Sequence, residues 1–315
     1  MNSTELVMQE CQRNAGNLRL GVVYTVFGVL CSPCYLACMW AMWQPELRSL
    51  PCYKIMFSIG VCDLFMIAVN TFGVGYWTIA GSVMCQLYWT MKLTSALFGG
   101  VWACYLSLCL VLAFNRLQQA DKPNSTAPMF KGNRTYVWIA VCLTLGALKF
   151  GFFAHPIFTF YYDSDLGLWK TYSEPSAPSW APYMRFCLQI MESAVFSSVM
   201  IALYVGVAYR VNKWSKVVGQ RKISEMERSV YIQSFLVCLC VTGLTMAYFI
   251  MPMFTLDPKA FRALHLYMQF VFGSNSLIYL GFSKTIRSKV LGLFIKQQNG
   301  VLVVQDVASE HRNAS

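Results

Sequence analysis

The sequence predicts an all-α integral membrane protein: a seven-transmembrane helix bundle with its N-terminus outside, its C-terminus cytoplasmic, and a short amphipathic helix after the seventh span. Three observations carry that prediction. Only 12% of residues are charged and 57% are hydrophobic, with a mean hydropathy of +0.47, whereas soluble proteins carry about 25% charged residues. Apolar runs long enough to cross about 30 Å of hydrocarbon recur seven times. Of the 25 Lys and Arg, 17 fall in alternate loops and the C-terminal tail, and the positive-inside rule makes that side cytoplasmic.

Taken in order, residues 1–19 form a polar extracellular tail with Glu5, Glu10 and Arg13. No apolar stretch follows a basic start there, so no cleavable signal peptide is expected. Asn2 heads a sequon and is a candidate glycosylation site on that side. The transmembrane domain covers 20–282, with spans at about 20–43, 52–79, 85–114, 135–160, 184–209, 229–254 and 262–282. Residues 283–315 form the amphipathic helix and tail, in which Phe282, Ile286 and Val290 recur every four residues between Lys and Arg, as in a helix lying on the inner leaflet. Most of the 13 cysteines lie inside apolar runs, where they act as small hydrophobes rather than as a disulfide framework or metal site. The net charge of +11 is dispersed between spans, so it reports topology and no nucleic-acid partner is expected. The longest outer loop, 161–183, is rich in Tyr, Trp and Pro.

Ionisable residues at membrane depth are costly unless paired or solvated, which makes each a functional candidate. Asp63 lies about 16 Å into the second span, and Lys149 and Glu192 about 22 and 27 Å up the fourth and fifth. Lys149 and Glu192 form either a structural ion pair or the wall of a ligand pocket. Lys92, about 36 Å up the third span, needs no more than snorkelling. Arg116 ends the third run at Leu112-Ala113-Phe114-Asn115-Arg116 and is either a headgroup anchor or a switch at the cytoplasmic mouth. In the last span Asn275 and Tyr279 share one helix face beside Gly273, Ser274 and Ser276, which permit close packing.

With these residues assembled, the chain resembles a seven-helix G-protein-coupled receptor, and more narrowly the nematode serpentine chemoreceptors of class T (Srt). The narrower likeness rests on Cys52-Tyr53-Lys54-Ile55-Met56 leading to Asp63-Leu64, on Leu112 to Arg116, and on Ile278-Tyr279-Leu280 running into Ser283-Lys284-Thr285-Ile286-Arg287. The resemblance implies that Asn115 and Arg116 form the G-protein coupling site, with Asn115 where most receptors carry an acid. It makes Asp63, Asn275 and Tyr279 the activation switch. Asp63 corresponds to the sodium-pocket carboxylate, although the first span lacks the usual Asn, and Ser276 replaces the Pro of the seventh-helix motif. The missing acid beside Arg116 leaves Glu225 and Glu227 as candidate restraints at the inner face. Cys85 resembles the family cysteine of the third helix; the 161–183 loop has no Cys, so a disulfide would need Cys187 or Cys11, with a free thiol as the alternative.

The expected function is a chemosensory receptor that binds a small extracellular ligand within the bundle, signals to a heterotrimeric G protein and uses no cofactor. Trp102, Lys149, Glu192 and Tyr248 are candidate pocket residues, and Trp89 and Phe153 further aromatic ones. The resemblance places it in the plasma membrane, with the cilia of chemosensory neurons as a candidate location. A transporter or ligand-gated channel using Asp63, Lys149 and Glu192 is the alternative. A membrane enzyme is not expected, since His155 and His265 lie near span ends and His311 in the tail.

Overall fold

The computed structural model describes residues 16–81, 88–121, 128–155, 157–164, 166–173, 178–217, 225–254 and 257–293. Asn2, Cys85 and Asn124, and the side chains of Glu225 and Glu227, lie outside the described set. Among the described residues seven long helices follow one another. Helix α1 is Leu18–Trp43, opened by Asn17, whose Oδ1 accepts from the Leu20 amide at 3.0 Å. Helix α2 runs over Pro51–Ala80 with a π turn at Ala68–Gly73, and stops at Gly81, whose φ of 60° suits a residue without Cβ. Helix α3 is Tyr88–Asp121, α4 is Arg134–Ala154, and α5 joins Ala181–Ile190, a π turn at Met191–Val195, and Phe196–Val217. Helix α6 is Glu225–Ile250. Helix α7, Pro258–Phe282, begins at Asp257, whose side chain accepts from the Lys259 amide at 2.7 Å ahead of a first-turn proline.

The first six of these are each long and apolar enough to cross a membrane. Helix α7 is long enough but less apolar, because His265, Gln269, Ser274, Asn275 and Ser276 interrupt it; all five are buried against other helices, so the lipid does not meet them. Apolar side chains such as Val26, Leu30, Leu143 and Leu148 point outward, the arrangement a lipid-facing surface requires. Helix α3 runs through the centre of the bundle, packed on α2, α4, α5 and α6. Two close approaches explain the position of glycines. A Cβ on Gly100 of α3 would lie 2.8 Å from the Gly146 carbonyl of α4, and one on Gly146 would lie 2.8 Å from the Gly100 carbonyl.

Three features depart from the sequence reading. The fourth span ends at Ala154 rather than 160: His155, which precedes a proline in sequence, is extended with ψ 140°, and the apolar residues that follow enter strand β1, Phe158–Asp163. This strand pairs antiparallel with β2, Leu168–Ser173, through a turn in which Asp163 accepts from the amides of Leu166 and Gly167. Lys92 does not snorkel. It is buried, with Nζ 3.3 Å from the His155 carbonyl at the end of α4. The residues after α7 form a helix over 284–293, but Ile286 and Val290 are buried in the main core whereas Phe282 is exposed. This apolar edge therefore docks on the bundle, and Lys289 ties it to Glu46 between α1 and α2.

Candidate functional site

The β1–β2 hairpin closes one end of the bundle. Leu168 and Trp169 are buried in the core, and Trp169 stacks on Phe98 of α3 with ring centroids 4.7 Å apart. Its indole donates to Asn70 Oδ1 at 2.8 Å. Tyr162 shares a 3.2 Å hydrogen bond with Thr78 of α2, and burial pushes its phenol up to about 12, so it stays neutral at ordinary pH. The π turn in α2 interrupts the regular backbone ladder around Asn70. The Asn70 carbonyl accepts from Gln269 Nε2 at 2.6 Å and lies 3.3 Å from His265 Nε2, both on α7.

Beneath the hairpin is a cavity of about 450 Å³, within the range of small-molecule pockets. Trp102 on α3, Lys149 on α4, Glu192 on α5 and Tyr248 on α6, each expected from sequence to line a pocket, all line this one. Phe153 joins them; Trp89 does not, being 78% exposed on the outside of α3. Lys149 and Glu192 are ion-paired directly, so the pair and the pocket wall are the same feature. The Lys149 ammonium also lies 5.5 Å from the Phe153 ring centroid.

The cavity is connected to a buried polar centre by contact. Trp102 stacks on Tyr105, one turn further along α3, with centroids 5.8 Å apart, and both meet Phe272 edge-on. Tyr105 and Asp63 share one donor: Asn275 Nδ2 lies 3.2 Å from the Tyr105 hydroxyl and 2.8 Å from Asp63 Oδ2. Tyr35 of α1 donates to that same carboxylate oxygen, and Tyr279 packs edge-on against Tyr35 at 6.4 Å. Thus Asp63, Asn275 and Tyr279 are brought together. Asp63 Oδ1 accepts no hydrogen bond from the described residues. The contact that the first helix makes with this carboxylate is the Tyr35 hydroxyl, which sequence reasoning passed over.

At the opposite end of the bundle Arg116 is 3% exposed, so it is no headgroup anchor. Nε donates to Ser234 Oγ of α6 at 3.2 Å and Nη1 to Gln119 Oε1 at 2.9 Å, while Nη2 lies 3.8 Å from the Met56 sulfur of α2. Asn115 beside it is fully buried, and neither atom of its amide has a partner among the described residues. Cys187 is exposed on α5 and has no cysteine partner among the described residues, and Cys85 lies outside them. Among the described residues no His, Cys, Asp or Glu cluster could hold a metal. Sequence reasoning also missed Asn70, Tyr105, Gln269, Trp169 and Ser234. Only Asn70 left a local signal, two helical turns from Asp63 on the same α2 face.

The fold is shared with a solved structure, the crystal structure of squid rhodopsin, with a TM-score of 0.71 and 11% sequence identity over 88% of this chain and 84% of that one. That identity speaks for the fold alone. No curated protein matches the chain in sequence. A family profile described as "Serpentine type 7TM GPCR chemoreceptor Srt" matches residues 4–301, nearly the whole chain. With its multi-pass helices and rhodopsin-like bundle, the chain belongs to the Srt family of serpentine seven-transmembrane G-protein-coupled chemoreceptors.

Proposed function

We propose that this receptor takes a small extracellular ligand into the cavity beneath the β-hairpin and couples to a heterotrimeric G protein at the Arg116 end. In this reading the hairpin faces outward in the plasma membrane, sensory cilia being the membrane where a chemoreceptor meets its stimuli. One observation carries it: an unbroken line of contact runs from Trp102 in the cavity through Tyr105 and Asn275 to Asp63. A ligand that displaces Trp102 alters the Asn275 donor shared by Tyr105 of α3 and Asp63 of α2, and so favours one arrangement of the bundle over another. Arg116 has differential contacts to offer: its bond to Ser234 ties α3 to α6 at rest, and separation of those helices frees the guanidinium for an effector.

The transporter alternative is less well supported, since Lys149 and Glu192 line the cavity but Asp63 is buried away from it. The test uses the intact receptor in cells with a second-messenger reporter, stimulated by an odorant panel. Arg116→Ala abolishes the ligand response while surface expression is retained. An unchanged response with the same ligand contradicts the coupling role.

A further inference from the structure

We propose that the cavity takes a small lipophilic anion, an aryl or alkyl carboxylate, with its charge among Lys149, Arg185 and Lys170 and its apolar body against Trp102, Tyr248 and Met268. The inference rests on the reading of this cavity as the ligand site and adds the chemical class of the ligand. Three cationic side chains line the cavity against one carboxylate, Glu192. Asp163 pairs with Lys170 at 2.7 Å from outside the lining, and the walls otherwise are mainly aromatic and aliphatic.

Charge interactions are strengthened where water is scarce, so the sign of the lining decides between ligands of one shape. An amine entering this space finds the neighbouring carboxylates, Glu192 and Asp163, already paired with Lys149 and Lys170. A neutral alcohol makes hydrogen bonds without compensating the cations. A carboxylate meets complementary charge and gains the stronger, charge-assisted hydrogen bonds. Arg185 and Lys170 have contacts of their own within the protein. A guanidinium nevertheless presents five donors and an ammonium three, more than one partner consumes. Arg185, Gln189 and Glu192 follow one another at turn spacing along α5, so one helix face carries the polar edge of the cavity. The lining residues of α3, α6 and α7, Trp102, Tyr248 and Met268 among them, are mostly apolar. A lining that joins cations of α4, β2 and α5 to these apolar side chains suits an amphiphile with a single charged end.

The test compares hydrocinnamate, hydrocinnamyl alcohol and phenylpropylamine, three probes of one skeleton, on the full-length receptor in nanodiscs, with affinities read from the concentration dependence of thermal stabilisation. The carboxylate binds about tenfold more tightly than the alcohol, and the amine binds weakest. Arg185→Gln, and separately the double variant Lys149→Met/Glu192→Met, each reduce that margin. An alcohol or amine that binds as well as the carboxylate overturns the anion inference and leaves the cavity standing as a ligand site. Stabilisation by none of the three overturns both. A carboxylate preference that survives in both variants places the anion elsewhere and overturns the assignment to these residues. Should a variant fail to fold, the ranking on the unaltered receptor decides.

Discussion

Arg116 is restrained by neutral groups, and that has a measurable cost and consequence. A hydrogen bond to a charged group is worth about 1.5–3 kcal/mol, and Ser234 supplies one from α6. Ser234→Ala should therefore raise ligand-independent signalling severalfold in the reporter cells; an unchanged basal level means that the resting state is restrained at another contact. Lys149 and Glu192 give a second prediction at this scale. Lys149→Met leaves the half-buried Glu192 carboxylate without its counter-charge, at a cost of about 3–5 kcal/mol for a buried pair and less to the extent that water reaches this one. The double variant Lys149→Met/Glu192→Met removes both charges and should recover most of the thermal stability that the single variant loses. If the two variants melt alike, the pair contributes no coupling. Both residues were legible in the sequence because a charge inside an apolar run stands out. Ser234, Tyr35 and Tyr105 were not legible, since serine and tyrosine are ordinary in membrane helices and only the packing of distant helices gives them a partner.

The helices themselves were plain to read, because a run of about 20 apolar residues forms little besides a membrane span, but their ends and their contacts were not. The fourth run continues in composition through Phe158 and Phe160, so hydropathy does not separate the end of α4 from a strand whose aromatic residues cover the bundle. The π turn of α2 leaves no mark in composition either, yet it is where Trp169, Gln269 and His265 converge on Asn70. Replacing that amide tests whether the hairpin is held by the bond. Asn70→Leu leaves the buried Trp169 indole without its acceptor, which costs about 1–3 kcal/mol. Amide exchange in residues 158–173 should quicken while exchange in α3 is unaltered; equal protection in the variant means that stacking on Phe98 holds the hairpin by itself. The α3–α4 contact is tighter still. Gly146→Val places two methyls where a single Cβ already falls 2.8 Å from a backbone carbonyl, a strain of about 1–3 kcal/mol, and should lower both melting temperature and surface expression. Normal stability in that variant would show that the helices can separate freely at this point.

For the whole molecule, the assignment of inside and outside rests on charge. The bundle carries its hairpin and cavity at one end and Arg116 at the other, and a receptor works only if the cavity end meets the stimulus and the Arg116 end meets the effector. The positive-inside rule applied to the Lys and Arg predicts that orientation, and sequons in the N-terminal tail and before α4 make it measurable. Asn133 precedes α4 on the Arg116 side and is exposed, in the sequon Asn133-Arg134-Thr135, with a second at Asn124; Asn2 lies in the tail before α1. Glycosylation takes place only on the lumenal face, which becomes the outside of the cell. The intact protein from animal cells should therefore show a glycosidase-sensitive shift that Asn2→Gln abolishes and that Asn124→Gln/Asn133→Gln leaves unaltered. The reverse pattern would put Arg116 outside, where no G protein can reach it, and would reject the coupling mechanism while leaving the fold and the family untouched.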